Sequence, residues 1–92
     1  MITEAKIVEA IISEVYKRGG KTIKIHGNAF QESGTPDVIG ILEGKMLAIE
    51  CKIPGEEPTK IQKYRLTQWA KAGAITGVAH SLDEFKTIIG VK

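Results

Sequence analysis

The sequence predicts an α/β fold whose elements run helix, strand, β-hairpin, helix, strand, helix. Three observations predict it. Ile7, Val8, Ile11, Ile12 and Val15 recur at the spacing that places them on one side of a helix. Val38-Ile39-Gly40-Ile41-Leu42 and Met46-Leu47-Ala48-Ile49 are short apolar runs, rich in β-branched residues, separated only by Glu43-Gly44-Lys45, as in a hairpin. Thr59-Lys60-Ile61-Gln62 and Ser81-Leu82-Asp83-Glu84 both have the S/T-x-x-E/Q form that opens a helix.

Each element has its own warrant. Thr3 is a suitable N-cap for the first helix, which runs down to Lys17-Arg18-Gly19-Gly20. Thr22-Ile23-Lys24-Ile25-His26 alternates like a strand, with the isoleucines expected inward and Lys24 outward. Gly27 to Thr35 is a polar loop, and Pro36 starts the next strand, where its missing N–H is tolerated. Ile53 to Pro58 is a second loop. A helix from Thr59 to Ala72 stops at Gly73, and Ile75 to Ala79 is the last strand. The final helix turns Leu82, Phe85, Ile88 and Ile89 inward until Gly90.

The hairpin has a chemical consequence. If Glu43-Gly44 is a two-residue turn, Leu42 pairs with Lys45 and, counting back along the ladder, Asp37 lies opposite Glu50. Directly paired residues share a face, with Cβ atoms about 4.5–5.5 Å apart. Two carboxylates there repel unless a cation bridges them or one holds a proton. Lys52, two residues beyond Glu50, returns to the same face, and Cys51 points away. Two points bear on the register. Glu43 sits where a type I′ turn prefers Asn, Asp or Gly, and a one-residue slip would send Glu50 to the other face. Paired acids beside a lysine suit phosphodiester cleavage, because a metal polarises the phosphoryl oxygen and fixed positive charge stabilises the transition state.

Gly34-Thr35-Pro36-Asp37, an apolar strand, and then Ile49-Glu50-Cys51-Lys52 resemble the PD-(D/E)xK nuclease superfamily. Within it, the chain looks most like a stand-alone virus-type replication-repair nuclease (VRR-NUC) domain. The likeness extends to Glu4, to Pro54-Gly55 after the lysine, to Gln62 opening the next helix and to Ala72-Gly73-Ala74 ending it. It therefore covers nearly the whole chain. It implies one VRR-NUC nuclease domain over residues 1–92, with a restriction-endonuclease-like α-β-β-β-α-β core, a C-terminal helix and a mixed sheet flanked by helices. It also implies a metal-dependent endonuclease with Mg2+, or Mn2+ in its place, held by Asp37 and Glu50 with Glu4 assisting. Lys52 would contact the scissile phosphate or the attacking water, and Gln62 would orient Lys52, water or phosphate. Small members are similar in fold to Holliday-junction resolvases, which implies a homodimer making paired cuts in branched or four-way DNA.

Several of these positions also have plainer readings. Glu4 points along the apolar stripe, where a carboxylate is costly without a partner. It is either a favourable charge at a helix N-terminus or a third acidic contact to the metal or its water. Gln62 completes a capping box with Thr59, so it serves the helix, the site, or both. Lys52 is a solvated strand lysine or a phosphate contact. Cys51 reads as a small core residue whose backbone carbonyl suits Mg2+. His26 and His80 read as surface or strand-end residues, with a general base as the alternative. Trp69 and Tyr64 are spaced to pack on a helix face. Lys21, Lys24, Lys60, Lys63 and Arg65 are solvated charges or, gathered at one mouth, a phosphate-tracking surface. Tyr16, Tyr64 and Phe30 are candidates for a dimer interface.

Composition sets the remaining limits. A chain of 92 residues can hold one core but buries only about 60–70% of its unfolded surface, so a dimer interface would help. The net charge of +2 does not by itself signal nucleic acid, and any basic surface must be local. One cysteine excludes an internal disulfide, and no Cys/His spacing suits zinc. With no signal-peptide pattern and no apolar stretch of membrane length, the reduced cytoplasm is the expected compartment and no membrane partner is expected. The expected activity is in-line hydrolysis of DNA without a covalent intermediate. A catalytically silent nuclease fold that binds nucleic acid or a partner protein is the alternative. A ribonuclease or toxin of the same fold would differ only in substrate.

Overall fold

The computed structural model describes residues 1–25 and 32–91. Along these residues run α1 (Glu4–Lys17), β1 (Lys21–Lys24), β2 (Val38–Leu42), β3 (Lys45–Cys51), α2 (Lys60–Lys71), β4 (Ile75–Ala79) and α3 (Leu82–Ile88). The four strands stand in chain order in one sheet. β1, β2 and β3 are antiparallel neighbours, while β4 joins β3 in parallel after the α2 crossover. The sheet is therefore mixed and carries helices, as predicted.

Local chemistry sets the boundaries. Thr3 Oγ1 accepts the Lys6 N–H at 3.2 Å and opens α1. Glu43 (φ 53°) and Gly44 (φ 77°) both adopt left-handed conformations, the type I′ geometry whose twist matches a hairpin. Glu43 holds this conformation although its Cβ disfavours it. Val38 consequently pairs with Ile49 and Leu42 with Lys45, the register that brings Asp37 and Glu50 to the next paired position.

β3 divides the molecule. Leu47, Ile49 and Cys51 look toward α1 and α3 and join Ile11, Val15, Val38 and Phe85 in the main core. The alternate residues, Ala48 and Glu50, look to the other side, where α2 packs on β3 and β4. α2 itself supplies no buried residue. Tyr64 accordingly stands 55% exposed rather than packed on the sheet, with the Arg65 guanidinium 5.5 Å from its ring centre. Trp69 is half-buried.

The first strand departs from expectation. It ends at Lys24, and Thr22 rather than the isoleucines turns to the core. Thr22 lies opposite Gly40, between the core residues Val38 and Leu42 of the neighbouring strand. Ile23 lies opposite Ile39 on the other face, beyond the strands that α2 covers, and is 58% exposed. Ile23, expected inward, is exposed, while Lys24 is exposed as expected. His26, Phe30 and the expected loop from Gly27 to Gln31 lie outside the described residues. Among the described residues no helix is long and apolar enough to cross a membrane.

Candidate active site

Asp37 is held from both sides. Its Oδ2 accepts the Cys51 N–H at 2.8 Å, and its carbonyl oxygen accepts the Ile25 N–H at 2.9 Å. The segment that delivers it is seated on α2. Gly34 (φ 80°) lies so close to α2 that a Cβ there would meet the Ile61 carbonyl at 2.9 Å. Arg65 Nε donates to the Ser33 carbonyl at 3.0 Å and pairs with Glu32 at 3.1 Å. Arg65 is thus a tether for this segment, which neither sequence reading of it foresaw. Pro36, fully buried, carries the chain from there into Asp37.

Glu50 faces Asp37 from β3 and is 1% exposed. Burial, then the hydrogen bond and the negative charge of Asp37, push its carboxyl up to about 9, with Lys52 acting against them. At neutral pH Glu50 therefore keeps its proton, one of the two outcomes that like charges at this spacing allow. Among the described residues Glu50 Oε2 has no hydrogen-bond partner. An orphaned buried oxygen costs stability, and a cation would relieve that cost. The donor set fits a hard divalent ion, since Mg2+ commonly takes one or two carboxylates and completes its shell with water and substrate oxygens.

Lys52 is half-buried, with its backbone N–H on the Ala79 carbonyl at 3.1 Å. Glu4 arrives from the start of α1. Its carboxyl is raised by burial and then by Asp37 and Glu56, with Lys52 opposing. Four of the five predicted side chains, Glu4, Asp37, Glu50 and Lys52, therefore act on one another at one end of the sheet. Among the described residues, however, no three His, Cys, Asp or Glu side chains form a metal cluster, so the acidic centre is the Asp37–Glu50 pair with Glu4 beside it. Cys51 is fully buried, and burial raises its thiol far above the ordinary range, consistent with an inert core residue.

Gln62 completes its capping box. Its Oε1 accepts the Thr59 N–H at 2.9 Å, and Thr59 Oγ1 accepts the Gln62 N–H at 3.3 Å. The second capping box is only half made. Ser81 Oγ accepts the Glu84 N–H at 3.1 Å, but the Glu84 carboxylate reaches back to His80, accepting its N–H at 2.9 Å and lying 2.7 Å from its Nδ1. The sequence reads His80 as a surface or strand-end residue and does not pair it with Glu84. The signal was the four-residue spacing to Glu84, hidden because Glu84 had already been assigned to Ser81.

A family model described as archaeal Holliday junction resolvase (hjc) matches residues 5–81. The chain is 36% identical over 76 residues to p44 of Acyrthosiphon pisum secondary endosymbiont phage 1, a protein named as a nuclease, covering 82% of this chain and 76% of that one. It is similar to a solved VRR-NUC domain at a TM-score of 0.78 and 24% identity, covering 94% of this chain and 92% of the other. A second solved VRR-NUC domain protein gives a TM-score of 0.74 at 20% identity, over 97% and 86% of the two chains. Archaeoglobus fulgidus Hjc, a Holliday junction resolvase, gives 0.64 at 24% identity, over 82% of this chain and 65% of its own. These structural likenesses show the restriction-endonuclease-like fold.

Proposed function

The chain belongs to the archaeal Holliday junction resolvase (hjc) family, and from that membership we propose that it is a Mg2+-dependent endonuclease acting as a homodimer on branched DNA. It is a nuclease domain of the VRR-NUC-like kind. The observation that carries the proposal is the Asp37–Glu50 pair, a buried acid held protonated beside a fixed carboxylate, with one oxygen left without a partner.

The placement of the side chains supports these roles. Asp37, fixed by the Cys51 N–H, and Glu50, once it gives up its proton, would hold the cation, with the Cys51 carbonyl and Glu4 as the further oxygens that could assist. When bound, the ion polarises the phosphoryl oxygen and lowers the pKa of water. Lys52 adds fixed positive charge beside the phosphate, where charge develops in the transition state. The capping bond of Gln62 uses its oxygen, so the amide nitrogen is the group it offers to phosphate or water. Lys60 and Lys63, exposed on α2, supply local charge for the DNA backbone.

The dimer has a candidate surface in the apolar face that α2 leaves uncovered. There Ile23 and Ile41 are 58% and 52% exposed, flanking Ile39. Tyr16 is a poorer candidate. Its hydroxyl donates to the Thr22 carbonyl at 3.2 Å, and Lys21 Nζ lies 5.4 Å from its ring centre. The test is cleavage of four-way, flap and linear DNA with Mg2+, with Mn2+ and with chelator, alongside sedimentation of the protein alone. We expect metal-dependent cutting of the four-way substrate by a dimer. Cutting that persists in chelator would overturn the metal site. A monomer that cuts linear and branched DNA equally would overturn the junction reading.

A further inference from the structure

We infer that His80 is a positioning residue: as an imidazolium it ties the turn that follows Lys52 to the start of α3, and so holds one wall of the acidic site. The inference rests on the reading of Asp37, Glu50 and Lys52 as a nuclease centre.

The ring stands between two acceptors. Nδ1 lies 2.7 Å from Glu84 Oε1, and Nε2 lies 2.8 Å from the Glu56 carbonyl oxygen. A carboxylate and a peptide carbonyl cannot donate, and a neutral imidazole carries a single N–H. The protonated ring satisfies both partners. Its surroundings favour that form. Glu84 comes from α3 and Glu56 and Glu57 from the loop, while a cation, Lys6 of α1, works against it from the hollow that both line. The hydrogen bond that the ring donates to Glu84, followed by the one it donates to the Glu56 carbonyl, raises His80 above the ordinary histidine range, and the His80 backbone N–H, then its ring, lower Glu84.

The tie reaches the site through a short path. Lys52 is followed at once by a turn in which the Glu56 N–H donates to the Ile53 carbonyl at 3.1 Å. The strand end and the turn are held by consecutive residues: Ala79 accepts the Lys52 N–H, and the His80 side chain holds the Glu56 carbonyl. Glu56 in turn is near enough to raise the Glu4 carboxyl. If the ring loses a proton, the charged Glu84 is the stronger acceptor and keeps the remaining N–H on Nδ1. Nε2 then faces the Glu56 oxygen lone pair to lone pair, and the turn is released. Misplacement of a site wall by about 1 Å can cost up to about 100-fold in rate.

Two independent measurements test this. Ring 15N NMR of the protein without DNA or metal, assigned with His80→Ala, should show both His80 nitrogens protonated at pH 7. Glu84→Gln should move that titration to lower pH. Hydrogen exchange at the Glu56 amide should speed up on the order of 10-fold in His80→Ala. Cleavage of four-way DNA at pH 7 should then fall about 10-fold in kcat, with KM within about twofold of wild type, the pattern of lost positioning rather than lost binding. A neutral ring at pH 7 or unchanged exchange would overturn the tie, and unchanged kcat in His80→Ala would overturn its positioning role. A wild-type protein that cuts no DNA would instead overturn the nuclease reading, with the ring titration still deciding the tie.

Discussion

The two sides of β3 use the same strand for opposite purposes. Leu47, Ile49 and Cys51 face α1 and α3, are apolar and buried, and leave no polar group to satisfy. Glu50, between Ile49 and Cys51 on the other side, is buried equally well but keeps a carboxyl oxygen without a partner. The β3 side chains on the core side gain stability from what they hide, and Glu50 gives some of it up. The contrast separates residues that make the fold from those proposed to make the chemistry. Substitutions on the two sides should therefore fail in different assays.

The largest expected effect is on the acidic side. Asp37→Asn and Glu50→Gln should each reduce Mg2+-dependent cleavage by at least about 100-fold, the scale of losing a principal electrostatic contributor. Both should leave the apo protein as stable as wild type or more so, because each removes the cost of keeping a proton on the pair at neutral pH. Retained cleavage in either variant would break the comparison at its centre. On the other side the outcome is reversed. Ile49→Ala should cost about 2–5 kcal/mol in denaturant unfolding, with cleavage per folded molecule nearly unchanged. A loss of activity without loss of stability at Ile49 would show that the two sides are not separable.

Much of this division was legible in the residues themselves. A two-residue turn and strand alternation suffice to place Asp37 opposite Glu50, and the structure keeps that register even with Glu43 in the left-handed region. The phase of β1 was not legible. Whether Ile23 or Thr22 is covered depends on which strands α2 reaches, a tertiary fact with no local signature. Arg65 and His80 were missed for a related reason. Arg65 bonds to a carbonyl far back in the chain, at Ser33, and His80 to one at Glu56. Backbone oxygens leave no mark in a sequence. Glu4 was legible because a carboxylate along an apolar stripe needs a reason, and the structure supplies one in its proximity to Asp37 and Lys52.

A pH series sharpens the contrast without mutating the core. Glu50 binds its proton more tightly in the folded chain, where its carboxyl is raised to about 9, than in the unfolded chain, where it titrates near 4.5. Its contribution is therefore fully present below about pH 4.5 and is lost progressively as pH rises toward 9. Chemical denaturation of the metal-free protein should show this declining limb, and Glu50→Gln should flatten it. Added Mg2+ should stabilise wild type more at pH 8 than at pH 6, since the ion competes with the proton. A limb that survives in Glu50→Gln would place the titration elsewhere.

The smallest effect should come from Gln62, which stands between the two purposes. Its oxygen caps α2 through the Thr59 N–H, and glutamate serves a capping box as well as glutamine. Gln62→Glu should therefore leave stability within about 0.5 kcal/mol of wild type, the usual range for a substitution that breaks no packing. In the role proposed for Gln62, the same change replaces the amide nitrogen with a second carboxylate oxygen facing two acids and a phosphate. Cleavage should fall about 10-fold, less than the loss of a donor aimed at the transition state. Unchanged cleavage would assign Gln62 to the helix alone. A large drop in stability would mean that the added charge is felt by the fold itself, and the line between the two sides of the sheet would then have to be drawn closer to the acids.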